Sequence, residues 1–382
     1  SLESALAMVP TGSWVSISTP GRHAAALADR ALDHGCPIFL YSDNVSKQQE
    51  KALKSKAAER GALVMGPDCG SAIIGGIGFG FSNAVRRGPV GMVCASGTGL
   101  QAISSQLHRL GSGVSQAIGT GGRDLSDDVG GSTARQGLDL LARDPATEVV
   151  VLASKPPGPE VGSEVLAAAL GLGKPVVVYF SGTPAPAPRV ANLHFARTST
   201  EAAEIALDLL DRPTASAADT EVPSAPTSNG FLRGLFSGGT LALETLQGVA
   251  PFLNPVYSNL NSLSCRPLED PTRSLGHTIL DMGADEYTVG RLPPMRDPGL
   301  WSTRVRQEAA DTDTGLILFD VVLGRGAHPD PAAETAPVVA EIVSQGGPPC
   351  LALLLGTHED TQGLEATADR LTEVGAEVVT TI

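Results

Sequence analysis

Two short glycine-bearing loops carry residues suited to binding an anion. The first, Ser96-Gly97-Thr98-Gly99, follows an apolar stretch that starts at Val90, and Leu100 and Ile103 behind it have helical spacing. The second, Ser237-Gly238-Gly239-Thr240, has the same setting. A loop that joins a buried strand to a helix points backbone N–H groups and the positive end of the helix dipole at one spot. We therefore predict that both loops bind phosphate.

Each loop taken alone also fits an ordinary strand-to-helix turn, because neither carries a complete dinucleotide-binding or P-loop pattern. Binding is favoured because the chain repeats the device inside two similar units. The offset between the copies is 141 residues at the loops, 167 between strands 147–152 and 314–319, and 174 between strands 176–180 and 350–354. The second copy therefore holds about 26 extra residues, predicted to form a long, ordered and functional insertion loop around residues 254–298.

Three cations are candidates for one anion-binding pocket. Arg123 lies in a glycine-rich loop, Lys155 directly follows a buried strand, and Arg291 lies in the insertion. A guanidinium donates to phosphate or carboxylate as a fork, and α/β folds bind ligands at the carboxyl ends of their strands. The alternatives are an ion pair of Arg123 with Asp127 or Asp128, a solvated Lys155, and an Arg291 that contacts a partner subunit.

Composition sets limits on the class of protein. The 382 residues are 42% hydrophobic, which is enough for two or three domains with cores of their own. A net charge of −14 argues against a nucleic-acid partner, whose binding depends on Lys and Arg. Five scattered cysteines without metal-ligand spacing predict free thiols, no metal site and a reducing, cytoplasmic location. Neither a long apolar run nor a signal sequence is visible, so no membrane partner is expected.

Alternating strand and helix patterns predict an α/β fold with parallel-sheet, Rossmann or flavodoxin-like domains. The first elements are predicted as strand 13–20, helix 22–34, strand 37–41, a charged surface helix 46–60 and strand 63–65. The first strand-to-helix turn has no G-x-G-x-x-G pattern, so no nucleotide site is assigned to this part of the chain.

Several motifs, taken in order along nearly the whole chain, resemble the FdrA family, whose members look like relatives of succinyl-CoA synthetase. The motifs are Gly66-Pro67-Asp68-Cys69-Gly70, the first glycine loop, Gly122-Arg123-Asp124-Leu125-Ser126 with Val129-Gly130-Gly131, Ser154-Lys155-Pro156-Pro157, and Tyr287-Thr288-Val289-Gly290-Arg291 with Pro294-Met295 and Asp297-Pro298.

The resemblance implies a succinyl-CoA synthetase-like fold with two homologous ligase-type repeats. Residues 1–88 would be part of a CoA-binding-like Rossmann domain, 89–212 an α-type ligase domain and 229–382 a β-type ligase domain, with a Pro/Ser/Ala/Thr-rich linker at 213–228. In the synthetases, the two loops start helices whose N-termini jointly hold a phosphorylated histidine. We accordingly expect the two loops to face each other across a pseudo-twofold axis and to bind one anion.

The chain departs from the synthetases at that histidine. His194 lies in the corresponding region but lacks the flanking Gly and Ala, and Ser154-Lys155 stands where the synthetases carry the carboxylate that orients the histidine. A lysine near two helix N-termini suits free phosphate rather than a covalent phosphoryl group. His194 is therefore not expected to be phosphorylated.

The resemblance implies a subunit of an oxamate carbamoyltransferase, which interconverts carbamoyl phosphate plus oxamate with oxalurate plus phosphate in allantoin (purine) degradation. Two alternatives remain open: a subunit of an acyl-CoA synthetase, and a non-catalytic assembly subunit. We predict Lys155 and Arg123 as catalytic groups, and both glycine loops as phosphate-binding. The predicted substrate-binding residues are Asp68, Gly122, Asp124 and Arg291.

The expected ligand is a small anion, carbamoyl phosphate or an acyl phosphate. No cofactor is expected, although CoA would bind under the ligase alternative. Family resemblance also implies partner subunits in a hetero-oligomer together with a homodimer.

Overall fold

A computed structural model describes residues 2–10, 12–211 and 229–381. The chain divides into two compact units, Ser1–Thr214 and Ala215–Ile382. The predicted linker at 213–228 lies outside the described residues. Among the described helices, none combines the length and the apolar character that a membrane crossing requires.

The first unit begins with a small segment in which helices and strands alternate. Its elements are α1 (Leu2–Leu6), β1 (Val15–Ile17), α2 (Gly21–Asp33), β2 (Ile38–Leu40), α3 (Lys47–Glu59) and β3 (Val64–Met65). The strands form a parallel sheet in the order β1-β2-β3, so the predicted βαβαβ pattern is confirmed. A capping box of Ser46 and Gln49 starts α3. The predicted charged surface helix 46–60 is present as α3, but two of its charged side chains, Glu50 and Lys54, are buried.

The rest of the first unit is an eight-stranded sheet in the order β10-β11-β9-β8-β6-β7-β4-β5. Its elements are β4 (Ser71–Ile74), β5 (Ile77–Gly80), β6 (Arg87–Cys94), α4 (Gly97–Arg109), β7 (Val114–Gly119), α5 (Ser132–Arg143), β8 (Val149–Ser154), α6 (Pro159–Leu170), β9 (Val176–Phe180), β10 (Arg189–Val190), β11 (Leu193–Phe195) and α7 (Ser199–Asp208). The central strands are parallel and apolar on both faces, as expected for a sheet covered by helices.

The second unit is one parallel seven-stranded sheet in the order β14-β13-β15-β12-β16-β17-β18. Its elements are β12 (Phe231–Phe236), α8 (Gly239–Val249), β13 (Val256–Ser258), β14 (Arg266–Pro267), β15 (His277–Asp281), α9 (Asp285–Thr288), α10 (Gly299–Ala309), β16 (Thr314–Val322), α11 (Pro331–Ser344), β17 (Cys350–Leu355), α12 (Leu364–Glu373) and β18 (Ala376–Val379). The predicted α/β fold class with two related repeats is thereby confirmed.

The repeat has a clear register. Strand β6 lies between β7 and β8, and β12 lies between β15 and β16. Cys94 pairs with Ala153, and Leu235 pairs with Phe319. Since each glycine loop starts two residues after the first member of these pairs, Ser154 and Asp320 occupy corresponding positions.

The predicted single insertion loop at 254–298 was wrong. That stretch contains β13, β14, β15 and α9, and β15 is the second strand of the repeat itself, in the place that β7 takes in the first unit. The extra chain lies between α8 and β15 and adds two strands at the sheet edge. The charged or titratable residues His277 and Asp281 flank only three others in β15, namely Thr278, Ile279 and Leu280. The run that could mark this strand in the sequence is therefore short.

Candidate functional site

The first glycine loop, residues 96–99, joins β6 to α4 at the carboxyl edge of the sheet. Ser96 is the N-cap of α4, and its Oγ accepts a hydrogen bond from the Gly99 N–H at 3.0 Å. A helix start leaves four backbone N–H groups without a partner inside the helix, and Ser96 satisfies one of them. The helix runs for 13 residues behind the loop, so its dipole favours an anion in front of it.

Glycines let three segments meet beside this loop. A Cβ at Gly119 would lie 2.2 Å from the Ser71 carbonyl oxygen, and one at Gly121 would lie 2.3 Å from that of Pro67. A Cβ at Gly97 would lie 3.2 Å from Ser71 Oγ. Side chains at these positions would push the segments apart. Residues 66–71 therefore touch the loops that follow both β6 and β7.

Asp68 and Gly122, which were both predicted to bind substrate, lie close to each other at this edge. Asp68 Oδ2 is 3.7 Å from the position that a Cβ on Gly122 would take, and Asp68 is exposed. Its backbone N–H donates to the Ser42 carbonyl at 3.0 Å. Their role in substrate binding stays a prediction.

Asp124 lies in the same loop as Arg123 but has no exposed surface. Its Oδ1 accepts from Lys54 Nζ at 2.7 Å, and its Oδ2 accepts from the Ala134 N–H at 2.8 Å at the start of α5. Lys54 is 1% exposed and also donates to Glu50 Oε1 at 2.8 Å. These contacts leave Asp124 to hold the loop in place, out of reach of a ligand.

Arg123 binds the second oxygen of Glu50, the carboxylate that also binds Lys54. Its guanidinium pairs with Glu50 Oε2 at 2.9 Å and donates to the Val45 carbonyl at 2.8 Å, and 37% of its side chain is exposed. The alternative of a partner at Asp127 or Asp128 was wrong: the Asp127 carboxylate accepts from a backbone N–H of α6, and Asp128 pairs with a lysine on α3.

Lys155 is exposed and directly follows β8, the strand that pairs with β6. Lys155 therefore lies at the same carboxyl edge of the sheet as the first glycine loop. The neighbouring turn is fixed by a hydrogen bond from the Gly158 N–H to the Leu125 carbonyl at 2.8 Å, which ties it to the Arg123 loop.

The second glycine loop, residues 237–240, already faces a carboxylate of the protein. Asp320 accepts from the N–H groups of Ser237 and Gly238 at 2.6 and 2.8 Å, and from Ser237 Oγ at 3.0 Å. Burial raises the pKa of Asp320 to about 6, although these hydrogen bonds act in the opposite direction. Phosphate binding here stays a prediction, and it would bring a further negative charge next to the Asp320 carboxylate.

A cavity of about 30 Å³ adjoins Ser237 and Asp320. It is also lined by His328 and by Trp301, whose buried indole Nε1 has no hydrogen-bond partner. This volume suits a water molecule. Met295, in a motif that the sequence singled out, closes one side. Sequence reasoning missed these polar groups, although one acidic residue inside the apolar run of β16 was a detectable signal.

Arg291 is exposed in the turn after α9, and its N–H donates to the Thr288 carbonyl at 2.9 Å. It belongs to the second unit, whereas Arg123 and Lys155 belong to the first. The common pocket of the three cations and the facing pair of glycine loops both join residues of different units, so they stay predictions.

His194 lies within β11, where it pairs with Val177 near the start of β9. The carboxyl end of β9 is three residues further on, at Phe180. Burial, and to a lesser degree Arg189, lower the pKa of His194. The imidazole is thus neutral at pH 7 and lies away from the edge that carries the first glycine loop.

Comparison with known proteins identifies the family. Residues 235–381 match a protein-family model described as CoA-ligase. The chain is 42% identical to the uncharacterized protein YahF of Escherichia coli K12, over 96% of this chain and 74% of YahF.

Two relatives are named as ligase subunits. The chain is 29% identical to the malate–CoA ligase subunit alpha of Methylorubrum extorquens, over 48% of this chain and 64% of that subunit. It is also 29% identical to the ADP-forming succinate–CoA ligase subunit alpha of Aquifex aeolicus, over 44% of this chain and 56% of that subunit. The chain thus spans less than two thirds of the length of these subunits. It belongs to the same family as YahF, and its residues 235–381 are similar to CoA ligases.

Proposed function

We propose that this chain is a subunit of an acyl-CoA ligase whose first unit binds the phosphate group of an acyl phosphate at the start of α4. The observation that carries the proposal is the capped first glycine loop at the carboxyl edge of the sheet, walled by Gly119 and Gly121. The CoA-ligase match at 235–381 and the relatives named as ligase subunits support the reaction class.

In the proposed step, the sulfur of CoA attacks the carbonyl carbon of the acyl phosphate. A C–S bond forms, the C–O bond to phosphate breaks, and the thiol proton leaves with the phosphate. The group that gains negative charge is the departing phosphate, so donors fixed around it lower the barrier. The N–H groups at the start of α4 supply such donors, and Lys155 follows the neighbouring strand with its ammonium exposed.

Arg123 has a different part in this scheme. Glu50 and the Val45 carbonyl hold its guanidinium in place, and 37% of the side chain remains exposed. A preorganised guanidinium loses little entropy when it binds a carboxylate or phosphate. We assign it to the carboxylate of the acyl group or of the acceptor. Asp124 and Lys54 act by holding the Arg123 loop.

A second candidate is the oxamate carbamoyltransferase reaction implied by the FdrA resemblance. It uses the same phosphate leaving group and needs no phosphohistidine. The observation that favours it is the placement of His194 inside β11, together with Ser154 at the strand end where the synthetases carry a carboxylate. In both candidates free phosphate binds at the first glycine loop, and the transferred group and its acceptor differ.

Phosphate release distinguishes the candidates. The full chain, purified together with its partner subunits, is incubated with succinyl phosphate and CoA, or with carbamoyl phosphate and oxamate. Release that depends on CoA supports the ligase, and release that depends on oxamate supports the carbamoyltransferase. No release in either reaction, together with no calorimetric binding of inorganic phosphate, contradicts both and leaves an assembly subunit.

Lys155→Ala tests the proposed site directly. Loss of one charge-assisted hydrogen bond is worth roughly 1.5 to 3 kcal/mol, so phosphate affinity should fall about tenfold to a hundredfold. The matched control is Lys51→Ala, an exposed lysine on α3, which should leave affinity unchanged. Equal affinities of the two variants would contradict the role of Lys155.

A further inference from the structure

A second, larger cavity lies in the second unit, at the edge of the sheet opposite to its glycine loop. Its volume is about 470 Å³, within the range of pockets that hold small molecules. The starts of β12 and β15 and the residues just before β13 and β16 line it. The second glycine loop follows the carboxyl end of β12. The cavity is therefore separate from the proposed phosphate chemistry.

Aromatic rings form part of the cavity wall. Phe231 and Tyr257 line it, and the His277 ring packs edge-on against Phe231 with centroids 5.2 Å apart. His277 Nδ1 accepts a hydrogen bond from the Leu232 N–H at 3.0 Å, so in the neutral ring the proton is on Nε2. Burial and Arg233 lower the pKa of His277, which keeps the ring neutral.

The positive charge near the cavity is already matched. Arg233 is 2% exposed and pairs with Glu308 at 3.1 Å and with Asp311 at 2.8 Å. Arg304 pairs with the same glutamate at 2.5 Å. Two arginines and two carboxylates thus balance one another.

Asp313 adds a further negative charge to the cavity wall. It is exposed, and its position is fixed through the backbone: its N–H donates to Asp311 Oδ1 at 3.0 Å, and its carbonyl accepts from the Phe231 N–H at 2.7 Å. Hydrogen bonding by that N–H is the first cause that lowers the pKa of Asp311, so this carboxylate stays ionised. The cavity is therefore acidic and partly aromatic, which disfavours phosphate esters and other anions.

We propose that this cavity binds a small planar organic cation of the amidinium or guanidinium class. Its two parallel N–H groups would pair with the Asp313 carboxylate, a bidentate geometry that suits a planar cation. Its flat body would pack against Tyr257, where a cation also gains from the aromatic face, since the Arg233 guanidinium already lies over the Phe231 ring, 5.5 Å from its centroid. A Cβ at Gly276 would be in van der Waals contact with the Tyr257 ring at 3.6 Å, so the glycine leaves that part of the ring uncovered.

Three ligands with one ring and different charges test the proposal. The full chain is titrated by calorimetry with benzamidine, benzamide and benzoate, which are positive, neutral and negative at pH 7.5. We expect benzamidine to bind roughly tenfold more tightly than benzamide, because only the cation forms a bidentate ion pair with Asp313, and we expect benzoate to show no binding.

Two variants and one control locate the site. Asp313→Asn should reduce benzamidine affinity to that of benzamide, whereas Asp285→Asn should leave it unchanged, since Asp285 is an exposed acid that follows the carboxyl end of β15. Tyr257→Ala should weaken both ligands that bind. Thermal unfolding checks that each variant is folded.

Equal affinities for benzamidine and benzamide would overturn the proposal, and so would equal effects of the two aspartate variants. Phosphate binding, measured on the same samples, reports separately on the first glycine loop. Failure of either proposal is therefore visible without the other.

Discussion

The two glycine loops have similar sequences but differ in what faces the start of their helices. In the first, Ser96 caps α4 with its own hydroxyl. In the second, the carboxylate of Asp320 accepts the N–H groups of Ser237 and Gly238. The position that corresponds to Asp320 in the first unit is Ser154, which carries no charge. The second loop thus uses its anion-binding geometry on the protein itself, and this difference supports the proposal that the first loop binds a ligand.

The units also differ in how a buried carboxylate near the loop is neutralised. Asp124 meets the ammonium of Lys54, whereas Asp320 is met by N–H and O–H donors of the second glycine loop. A buried charge without a partner is costly, so removing either set of donors should be measurable. We expect the larger loss of stability where an ammonium neutralises the carboxylate, and the smaller loss where only N–H and O–H groups do.

The largest effect is expected for Lys54→Met in the first unit. The variant keeps the apolar stem but leaves Glu50 and Asp124 buried without their shared cation. Breaking one side of a buried ion pair costs about 3 to 5 kcal/mol, which should appear in the free energy of unfolding of the first unit in urea. Lys56→Met, nearer the helix end and paired at the surface with Asp29, is the control and should lose less than about 1 kcal/mol. Equal losses would show that the buried cluster has no special role.

A pH-dependent effect is expected in the second unit from Asp320. Its pKa is about 6 in the folded chain against an ordinary 3.8, so the folded state binds the proton more tightly than the unfolded state. This group therefore favours folding most below about pH 4, and the contribution is lost as the pH rises through 6. A difference of about two between the folded and unfolded pKa values corresponds to about 3 kcal/mol in the free energy of unfolding.

Asp320→Asn should remove that pH dependence. The free energy of unfolding is measured at pH 5 and pH 7.5 for the wild type, for Asp320→Asn and for the surface control Asp285→Asn. The wild type and the control should lose more stability between the two pH values than Asp320→Asn does. Identical losses in all three chains would mean that Asp320 titrates normally, so that the hydrogen bonds from the second loop fully offset its burial.

Much of this architecture was predictable, because apolar runs that end in glycine mark the strands, loops and helices locally. The contact of Asp320 with Ser237 was not, since it depends on the register of residues 83 positions apart. Strand β15 was missed because its apolar centre is short, and the buried Lys54 was missed because a charged helix resembles a solvated one. The contacts of Asp320 and Lys54 depend on partners supplied by tertiary structure, whereas the local pattern of β15 is too short to mark a strand.

A smaller effect, on phosphate affinity, is expected when a carboxylate like that of Asp320 is introduced at the corresponding position of the first unit. Ser154→Asp places a carboxylate at the position that corresponds to Asp320, beside the first glycine loop. It should compete with phosphate for the same N–H groups and weaken phosphate binding about tenfold at pH 7.5. Ser154→Asn is the matched control for volume and polarity. If both variants bind phosphate equally well, the two loops are not equivalent in the way the register indicates.

The smallest effect is expected at His194. It pairs with Val177 inside β11 and β9, about 10 Å along the strand from the carboxyl end at Phe180. His194→Gln should therefore leave phosphate binding and phosphate release unchanged. Mass spectrometry after incubation with ATP, or with acyl phosphate and CoA, should find no acid-labile phosphate on this residue. Phosphate on His194 would contradict the prediction that the reaction proceeds without a covalent phosphohistidine. Phosphate on His328, which lines the cavity next to Asp320, would instead move the chemistry to the second glycine loop and reverse the comparison of the two units.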